Sequence, residues 1–320
     1  MKCCKAGGCC CCCPNFPGRI FAWLIAFFIW YQIFIGVHIG LVSNLGLIFH
    51  AVIIIFWNAC FLLTISSLFS AALTEPAEID SKYKVPDEFL ESSASNRTIS
   101  FHRQLSKYAN EHPELSFQLL DVGDFKYPRY CVHCQIFKPP RTHHCRTCEK
   151  CIPRMDHHCP VIGYFVYKQE VTTCVHFHNH KFFLLFLFWA SILCLMGVTF
   201  ISPQVVYLIN TSGEPKYGSL TEVIPAMIVT SGLTNAIVCG LALFCFQMYL
   251  WWMLKNNETT LESHEDDDDE KPDYDLGKAC LNIKSIFGKR KLLWFLPIPT
   301  TVGNGFTFVQ KLRTENNIEE

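Results

Sequence analysis

The sequence predicts an all-α polytopic membrane protein with four transmembrane helices and a large, loop-rich cytosolic domain. Half of the 320 residues are apolar, only 17% are charged, and both kinds are concentrated in blocks, unlike the mixed pattern of a soluble domain. Four blocks are long apolar segments, and a long polar segment rich in cysteine and histidine separates the second from the third. The net charge of -1 indicates no overall basic surface, so no nucleic-acid partner is expected.

Each apolar segment is long enough to cross a lipid bilayer. The first, Ile20–Val42, contains 23 residues without a charge, and about 20 apolar residues span the hydrocarbon core as a helix. The other three are Leu45–Leu73, Phe182–Ile201 and Ala226–Leu254. The predicted parts of the chain are therefore a cytosolic cysteine-rich N-terminus (1–19), transmembrane helices 1 and 2 (20–73), a cytosolic lead-in (74–128), a cysteine-rich domain (129–181), transmembrane helices 3 and 4 (182–254) and a cytosolic C-terminal tail (255–320).

The distribution of Lys and Arg predicts the orientation of these helices. The loop Thr74–Lys181 contains 14 such residues, whereas the short Asn210–Val223 connection contains only Lys216. Basic loops stay on the cytosolic side of a membrane, so both termini and the large loop are expected there. Because cytosolic thiols are kept reduced, the cysteines of this loop are expected to bind metal or act in catalysis rather than form disulfides.

Seven of the 19 cysteines lie between Cys131 and Cys174. From Cys131 to Cys159 the pattern is Cys-x2-Cys-x9-His-Cys-x2-Cys-x2-Cys-x4-Asp-His-His-Cys. Repeated Cys-x2-Cys pairs with nearby histidines are typical of zinc sites. A closed structural site uses four ligands, so two zinc ions would use eight. Interleaved ligand pairs would then fold a loop that has few core residues of its own.

This pattern resembles the DHHC cysteine-rich domain of the protein S-acyltransferases, or palmitoyltransferases, whose four-span order is also similar. The resemblance implies that Cys159 takes a fatty acyl group from a long-chain acyl-CoA, such as palmitoyl-CoA, as a thioester. The acyl group then passes to protein substrates with cysteines at the cytosolic face of the lipid bilayer. The resemblance also implies two structural zinc ions, one bound by Cys131, Cys134, His144 and Cys151 and the other by Cys145, Cys148, His158 and Cys174.

The residues beside Cys159 suit a nucleophile. A thiol with an ordinary pKa of about 8.5 is mostly protonated at neutral pH and needs a base or a cation nearby. His157, held and made more basic by Asp156, is the expected base. The alternative is that Asp156–Cys159 are further ligands of a zinc ribbon, as in membrane-anchored RING-type domains. The complete ordered pattern favours the acyltransferase, which is expected in the endoplasmic reticulum or Golgi, with the plasma membrane as an alternative.

The segment after Pro160 departs from the family pattern. Val161 stands where the family has Trp, His176 stands where it has Gly, and thirteen residues rather than four separate Pro160 from Cys174. The longer loop costs about 1 kcal/mol of closure entropy, which is small against the roughly 10–16 kcal/mol of a structural zinc site. Three interpretations remain open: an active enzyme with a tolerated insertion, a weakly active or inactive variant, and a zinc-stapled membrane adaptor. A splice variant would also explain such an insertion between two matching flanks.

Two segments after the last span resemble further family motifs. Thr259, Thr260 and Glu262 match a Thr-Thr-x-Glu motif, which implies that they position the zinc domain, and Asn282 matches a C-terminal motif with a structural role. The apolar and basic residues that follow predict either docking on an anionic membrane surface or packing against the spans. These residues are Ile283, Ile286, Phe287, Trp294 and Phe295 with Lys289, Arg290 and Lys291.

Overall fold

The computed structural model describes residues 30–36, 47–86, 99–112, 115, 119–122, 125–164, 173–211, 220–264 and 274–309. The chain separates into two compact units. Of the described residues, 30–36, 47–70, Tyr164 and those within Phe182–Tyr249 belong to the first unit, and those within Ala71–Gly163, 173–181 and 250–309 belong to the second. Most of the described residues of the apolar segments therefore belong to the first unit, and both predicted sets of zinc ligands belong to the second.

Helices account for most of the regular structure among the described residues. The bounds are α1 (Leu47–Leu73), α2 (Ile99–Glu111), α3 (Pro160–Tyr164), α4 (His180–Thr211), α5 (Leu220–Asn256), α6 (Thr260–His264) and α7 (Ala279–Phe287). Residues 30–36 are also helical. Single turns of 3-10 helix form at Ser81–Tyr83 and Lys291–Leu293.

Three helices are long and apolar enough to cross a membrane. In the described ranges, these candidate spans are Ile48–Leu73, His180–Asn210 and Val223–Asn256. They correspond to the second, third and fourth predicted spans, and the last two are longer than predicted because both helices continue into polar residues. The predicted first span, Ile20–Val42, lies largely outside the described residues, although its described part, 30–36, is helical. The three spans indicate an integral membrane protein.

Close helix packing in the first unit depends on small residues and on side-chain hydrogen bonds. A Cβ added at Gly197 would lie 2.7 Å from the side chain of Ile33, so a larger residue there would separate the helices. Gln32 Nε2 donates to Ser231 Oγ at 2.9 Å, and Asn235 Nδ2 donates to Gln32 Oε1 at 2.7 Å. Both features are typical of helices that associate in lipid, where apolar burial between helices provides little driving force.

The second unit contains four antiparallel sheets of two short strands each among its described residues. The strands pair in chain order, β1 with β2 through to β7 with β8. Their bounds are β1 (Leu119–Val122), β2 (Phe125–Pro128), β3 (Tyr130–Cys131), β4 (Ile136–Phe137), β5 (His143–Cys145), β6 (Lys150–Ile152), β7 (His157–His158) and β8 (Cys174–Val175). Two-stranded hairpins of this length are only marginally stable alone, so other interactions must hold them.

Two small apolar clusters form among the described residues of the second unit. One consists of Tyr83, Val85, Leu105, Leu115 and Phe137. The other consists of Cys145, Ile152, Met155 and Cys174, so half of its members are predicted zinc ligands. Apolar packing in the cysteine-rich segment therefore coincides with the predicted metal site.

The pairing of β7 with β8 positions the segment Asp156–Cys159. His157 lies opposite Val175, and His158 lies opposite Cys174. Hydrogen bonds continue beyond the paired residues, because Asp156 N donates to Val175 O at 2.8 Å and Cys159 N donates to Thr173 O at 3.0 Å. The strand that carries Cys174 thus lies alongside the predicted catalytic residues.

Candidate functional site

One predicted set of zinc ligands comes together around the β3–β4 and β5–β6 hairpins. The ligand atoms of Cys131, Cys134, His144 and Cys151 all lie within 4.8 Å of one another. His144 and Cys151 are directly opposite in the β5–β6 pair, and His144 Nδ1 lies 3.3 Å from Cys134 Sγ and 3.8 Å from Cys151 Sγ. Gln135 follows the second cysteine with a left-handed φ of 54°, which turns the chain back toward β4.

The second predicted set comes together between the β5–β6 turn and the β7–β8 pair. The ligand atoms of Cys145, Cys148, His158 and Cys174 also lie within 4.8 Å of one another. His158 Nδ1 lies 3.5 Å from Cys145 Sγ and 3.8 Å from Cys174 Sγ, and Cys174 Sγ lies 3.6 Å from Cys148 Sγ. The structure thus brings Cys174, the cysteine beyond the insertion, together with Cys145, Cys148 and His158.

Each set offers three sulfur atoms and one imidazole nitrogen, which is a donor set that zinc prefers. Hydrogen bonds from Cys145 and Cys148, together with burial, raise the pKa of the Cys174 thiol. A divalent cation acts in the opposite direction, because it favours thiolates over thiols. Cys159 is buried and belongs to neither of the two groups found among the described residues.

His157 is held by a carboxylate and lies near the remaining thiol. Its Nδ1 lies 2.6 Å from Asp156 Oδ2. Burial alone raises the pKa of Asp156, but the hydrogen bond with His157, the charges of His180 and His157 and the Thr260 backbone hydrogen bond together lower it to about 2. Burial alone lowers the pKa of His157, whereas the hydrogen bond and charge of Asp156 and the nearby Cys159 side chain raise it to about 9. The arrangement favours an imidazolium beside Cys159.

The start of α6 holds Asp156 from the other side. Thr260 N donates to Asp156 Oδ1 at 3.1 Å, and the Thr260 hydroxyl donates to the Asp156 carbonyl oxygen. Thr259 and Glu262 form a capping box, because Glu262 N donates to Thr259 Oγ1 at 3.3 Å and Thr259 N donates to Glu262 Oε2 at 2.9 Å. Three predicted positioning residues therefore form one turn that contacts Asp156.

A buried arginine fixes this turn. Arg141 Nε and Nη2 donate to the two carboxylate oxygens of Glu262, each at 2.7 Å. Arg141 Nη2 also donates to Asn257 O at 2.6 Å. The guanidinium carbon lies 4.4 Å from the centre of the Tyr274 ring and 5.0 Å from that of Phe308. Bidentate pairing and aromatic stacking are interactions that arginine makes and lysine does not.

A second buried arginine joins the same network. Arg154 Nη2 donates to Asn257 Oδ1 at 3.3 Å, and Arg154 Nη1 donates to His180 Nδ1 at 3.1 Å. Asn257 has a left-handed φ of 54° at the end of α5. The adjoining Glu258 N donates to Met253 O at 3.0 Å, as in the Schellman motif that commonly ends helices. The side-chain amide of Asn257, at the end of α5, therefore accepts a hydrogen bond from Arg154 of the cysteine-rich segment.

A comparison with known protein families identifies the segment that contains these residues. The model of the DHHC palmitoyltransferase family matches residues 124–267. This segment is a DHHC palmitoyltransferase domain. The matched range includes both ligand sets, Asp156–Cys159 and the Thr259–Glu262 motif, and the resemblance inferred from the sequence is confirmed.

Several curated proteins are similar to this chain beyond the DHHC domain. Palmitoyltransferase ZDHHC15 of Xenopus laevis is 28% identical over 283 residues, which cover 83% of this chain and 74% of that protein. Probable protein S-acyltransferase 12 of Arabidopsis thaliana is 32% identical over 178 residues, 56% of each chain. Palmitoyltransferase ZDHHC2 of Homo sapiens is 33% identical over 189 residues, 56% of this chain and 46% of that protein. The chain thus spans about half the length of the last two relatives.

Two residues near the site, His176 and Val161, depart from the DHHC family pattern. The ring of His176 is fully buried, with Nε2 3.2 Å from Thr74 O and Nδ1 accepting from His178 N at 3.3 Å. Burial lowers the pKa of His176 to about 3, so a neutral ring bonds through both nitrogens. Val161, at the position of the family's Trp, is exposed, and the next residue, Ile162, is buried. The histidine that replaces the family's Gly therefore has a hydrogen-bond partner at each ring nitrogen.

Asn282 joins the C-terminal tail to the end of α5. Its Nδ2 donates to Lys255 O and to Asp275 Oδ1, both at 2.6 Å, and its Oδ1 accepts from Leu276 N at 3.0 Å. The carbonyl groups of a last helical turn lack intrahelical donors. Asn282 satisfies one of these groups and is fully buried, as expected of a structural residue.

The sequence did not predict Arg141, Arg154, Asn257 or His180 as parts of the site. Both arginines lie in a polar loop, where an arginine is usually exposed. Their partner Asn257 is more than 100 positions away in the sequence. The one available signal was that Arg141 and Arg154 immediately precede ligand-bearing segments, and that spacing alone does not distinguish a buried arginine from an exposed one.

We expect Glu262→Gln to destabilise the DHHC domain by about 3 kcal/mol, because it leaves the buried Arg141 charge without an anionic partner. Thermal unfolding of the purified protein in detergent measures the change. The matched control is Glu111→Gln, whose pairing with Lys107 is exposed and is worth less than about 1 kcal/mol. Equal melting temperatures for the two variants would contradict the central role of the Arg141–Glu262 pair.

Proposed function

We propose that this protein transfers a long-chain fatty acyl group from acyl-CoA to cysteine thiols of proteins at the cytosolic face of a membrane. The observation that carries the proposal is the Cys159 thiol, which belongs to neither ligand set and lies beside the Asp156–His157 pair in a DHHC domain. The names of the curated relatives agree with this chemistry.

Structural zinc belongs to the proposal. Cys131, Cys134, His144 and Cys151 would hold one zinc ion, and the second set, Cys145, Cys148, His158 and Cys174, would hold the other. When bound, zinc supplies cross-links between hairpins whose strands are too short to be stable alone. Both ions stay outside the acyl transfer.

The first half-reaction charges the enzyme. His157 accepts the Cys159 proton, and the Cys159 sulfur attacks the thioester carbonyl carbon of acyl-CoA. The carbon–sulfur bond to Cys159 forms as the bond to the CoA sulfur breaks, and the departing CoA sulfur takes the proton from His157. Asp156 acts through His157, because it orients the ring and favours its protonated form.

The second half-reaction transfers the acyl group. The thiol of a protein substrate gives its proton to His157 and attacks the carbonyl carbon of the acyl-enzyme. The carbon–sulfur bond to Cys159 breaks, and the Cys159 sulfur regains the proton from His157. One thioester replaces another in each half-reaction, so neither an oxidant nor a nucleotide is required.

The proposed setting is an endomembrane, the endoplasmic reticulum or Golgi, with both termini and the zinc domain in the cytosol. It is supported by the candidate spans and by the concentration of Lys and Arg in the large loop. A cytosolic zinc domain gives Cys159 access to reduced protein thiols.

We expect Cys159→Ser to abolish the hydroxylamine-labile acyl group that forms when purified protein is incubated with labelled palmitoyl-CoA. The oxygen ester of serine would resist hydroxylamine, so any residual label would be stable to it. Cys280→Ser, which alters an exposed thiol outside the site, should leave the labile label unchanged. An unlabelled wild-type protein that still holds zinc would instead indicate an inactive variant or an adaptor.

We expect Cys174→Ala to reduce the zinc content from two ions to one per chain, because the second set loses a ligand. Atomic emission of the purified protein measures the change, with Cys280→Ala as the control. A zinc content of two in Cys174→Ala would contradict the assignment of the cysteine that follows the insertion.

We expect Thr260→Val to lower the rate of acyl-enzyme formation at least tenfold, because Asp156 loses the hydroxyl donor that fixes it and small displacements near a nucleophile can cost about 100-fold in rate. Thr260→Ser should restore the rate, since it restores the hydroxyl. Zinc content and the KM for palmitoyl-CoA should stay unchanged in both variants. A fall in zinc content instead of rate would assign Thr260 to domain stability rather than to positioning.

A further inference from the structure

The C-terminal segment 289–298, which we term the interfacial segment, exposes apolar and basic side chains together. Leu292 is 92% exposed, and Leu296 and Ile298 are also exposed. Lys289, Arg290 and Lys291 are exposed beside them. The sequence from 276 to 309 contains five basic residues and no Asp or Glu. An apolar surface of this kind has a cost in water and marks a contact site.

Partly buried hydrogen bonds fix the conformation of the interfacial segment. The ammonium group of Lys181 donates to Leu293 O, Ile298 O and Thr300 Oγ1 at 2.8–2.9 Å. Trp294 Nε1 donates to Gly288 O at 2.9 Å. Because three bonds satisfy every donor of the lysine, the segment is held as a shaped loop, and the exposure of Leu292 follows from that shape.

The helix α7, which directly precedes the interfacial segment, packs against the end of a candidate membrane span. Phe287 precedes the segment, and its ring stacks on Trp251 with 5.4 Å between centroids. Asn282 bonds to Lys255 O. Trp251 and Lys255 both belong to the last turns of the span Val223–Asn256, within about 8 Å of its end at 1.5 Å per residue. Apolar residues attached at this level of a span lie at the depth of the lipid headgroups.

We propose that the interfacial segment docks on the anionic leaflet of the bilayer, with Leu292, Leu296 and Ile298 inserted and Lys289, Arg290 and Lys291 among acidic headgroups. Basic residues close to such a leaflet attract its lipids, and adjoining apolar side chains add binding energy by burial. The sequence left packing against the spans as the alternative. Phe287 packs in that way, whereas Leu292 remains exposed. The proposal concerns membrane contact and does not rest on acyl transfer.

Photocrosslinking of the full-length protein in lipid vesicles tests the insertion. We expect benzoylphenylalanine at position 292 to form lipid adducts on illumination, as measured by mass spectrometry of the peptide. The control position is Val132, an apolar residue of the zinc domain that is 61% exposed. Lipid adducts no more frequent at 292 than at 132 would overturn the proposal.

The lipid composition and a set of charge reversals test the anionic contact. Adducts at 292 should increase when phosphatidylserine is added to phosphatidylcholine vesicles, and reversal of Lys289, Arg290 and Lys291 to Glu should remove the increase. Reversal of three other exposed lysines, Lys82, Lys84 and Lys107, is the matched control and should preserve it. An increase that survives the first reversal, or that excess free CoA abolishes, would overturn the assignment to an anionic leaflet.

Discussion

The buried ion pair between Arg141 and Glu262 joins the cysteine-rich segment to the segment that follows the last candidate span. Because Glu262 also caps α6 through Thr259, the pair fixes the turn on which Thr260 binds Asp156. The orientation of His157 therefore depends indirectly on Arg141, through Glu262, Thr260 and Asp156. Strands of two or three residues provide too little apolar surface to achieve this by packing, which explains why so much charge is buried here.

The buried network is balanced in charge. Arg141 and Arg154 are cationic and Asp156 and Glu262 are anionic, and all four side chains are buried. Burial lowers the pKa of Arg154 only to about 9, and the pKa values of both carboxyl groups fall to about 2, so these three groups keep their charge at neutral pH. Unbalanced charge would be costly at such a site. A proton that passes from Cys159 to His157 leaves the total unchanged, so the proposed first step creates no net buried charge.

From the sequence, the two ligand sets could be assigned only through the resemblance to the DHHC family, residue by residue along its motif. Both ligand sets and the Asp156–His157 pair consist of residues that a recognisable pattern contains. Arg141 and Arg154 were missed because their partners are distant in sequence and a loop arginine is usually exposed. The spans predicted from hydropathy are shorter than the helices α4 and α5. A hydropathy pattern ends where polar residues begin, whereas the helical hydrogen bonds of the backbone continue through those residues. The strands β7 and β8 have two residues each, which is too short for the alternation of apolar and polar residues that predicts a strand.

The two ends of the insertion after Pro160 are paired with each other beside Cys159. Cys159 N and Thr173 O are joined by a hydrogen bond of 3.0 Å, so the chain leaves the site and returns to it at nearly the same point. Because the ends of this loop are paired, its added residues cost mainly closure entropy, which is about 1 kcal/mol for this change in length. His158 and Cys174 can then lie opposite each other in β7 and β8 whatever the length between them. The pairing of β7 with β8, rather than the number of residues after Cys159, therefore determines whether Cys174 reaches Cys145, Cys148 and His158.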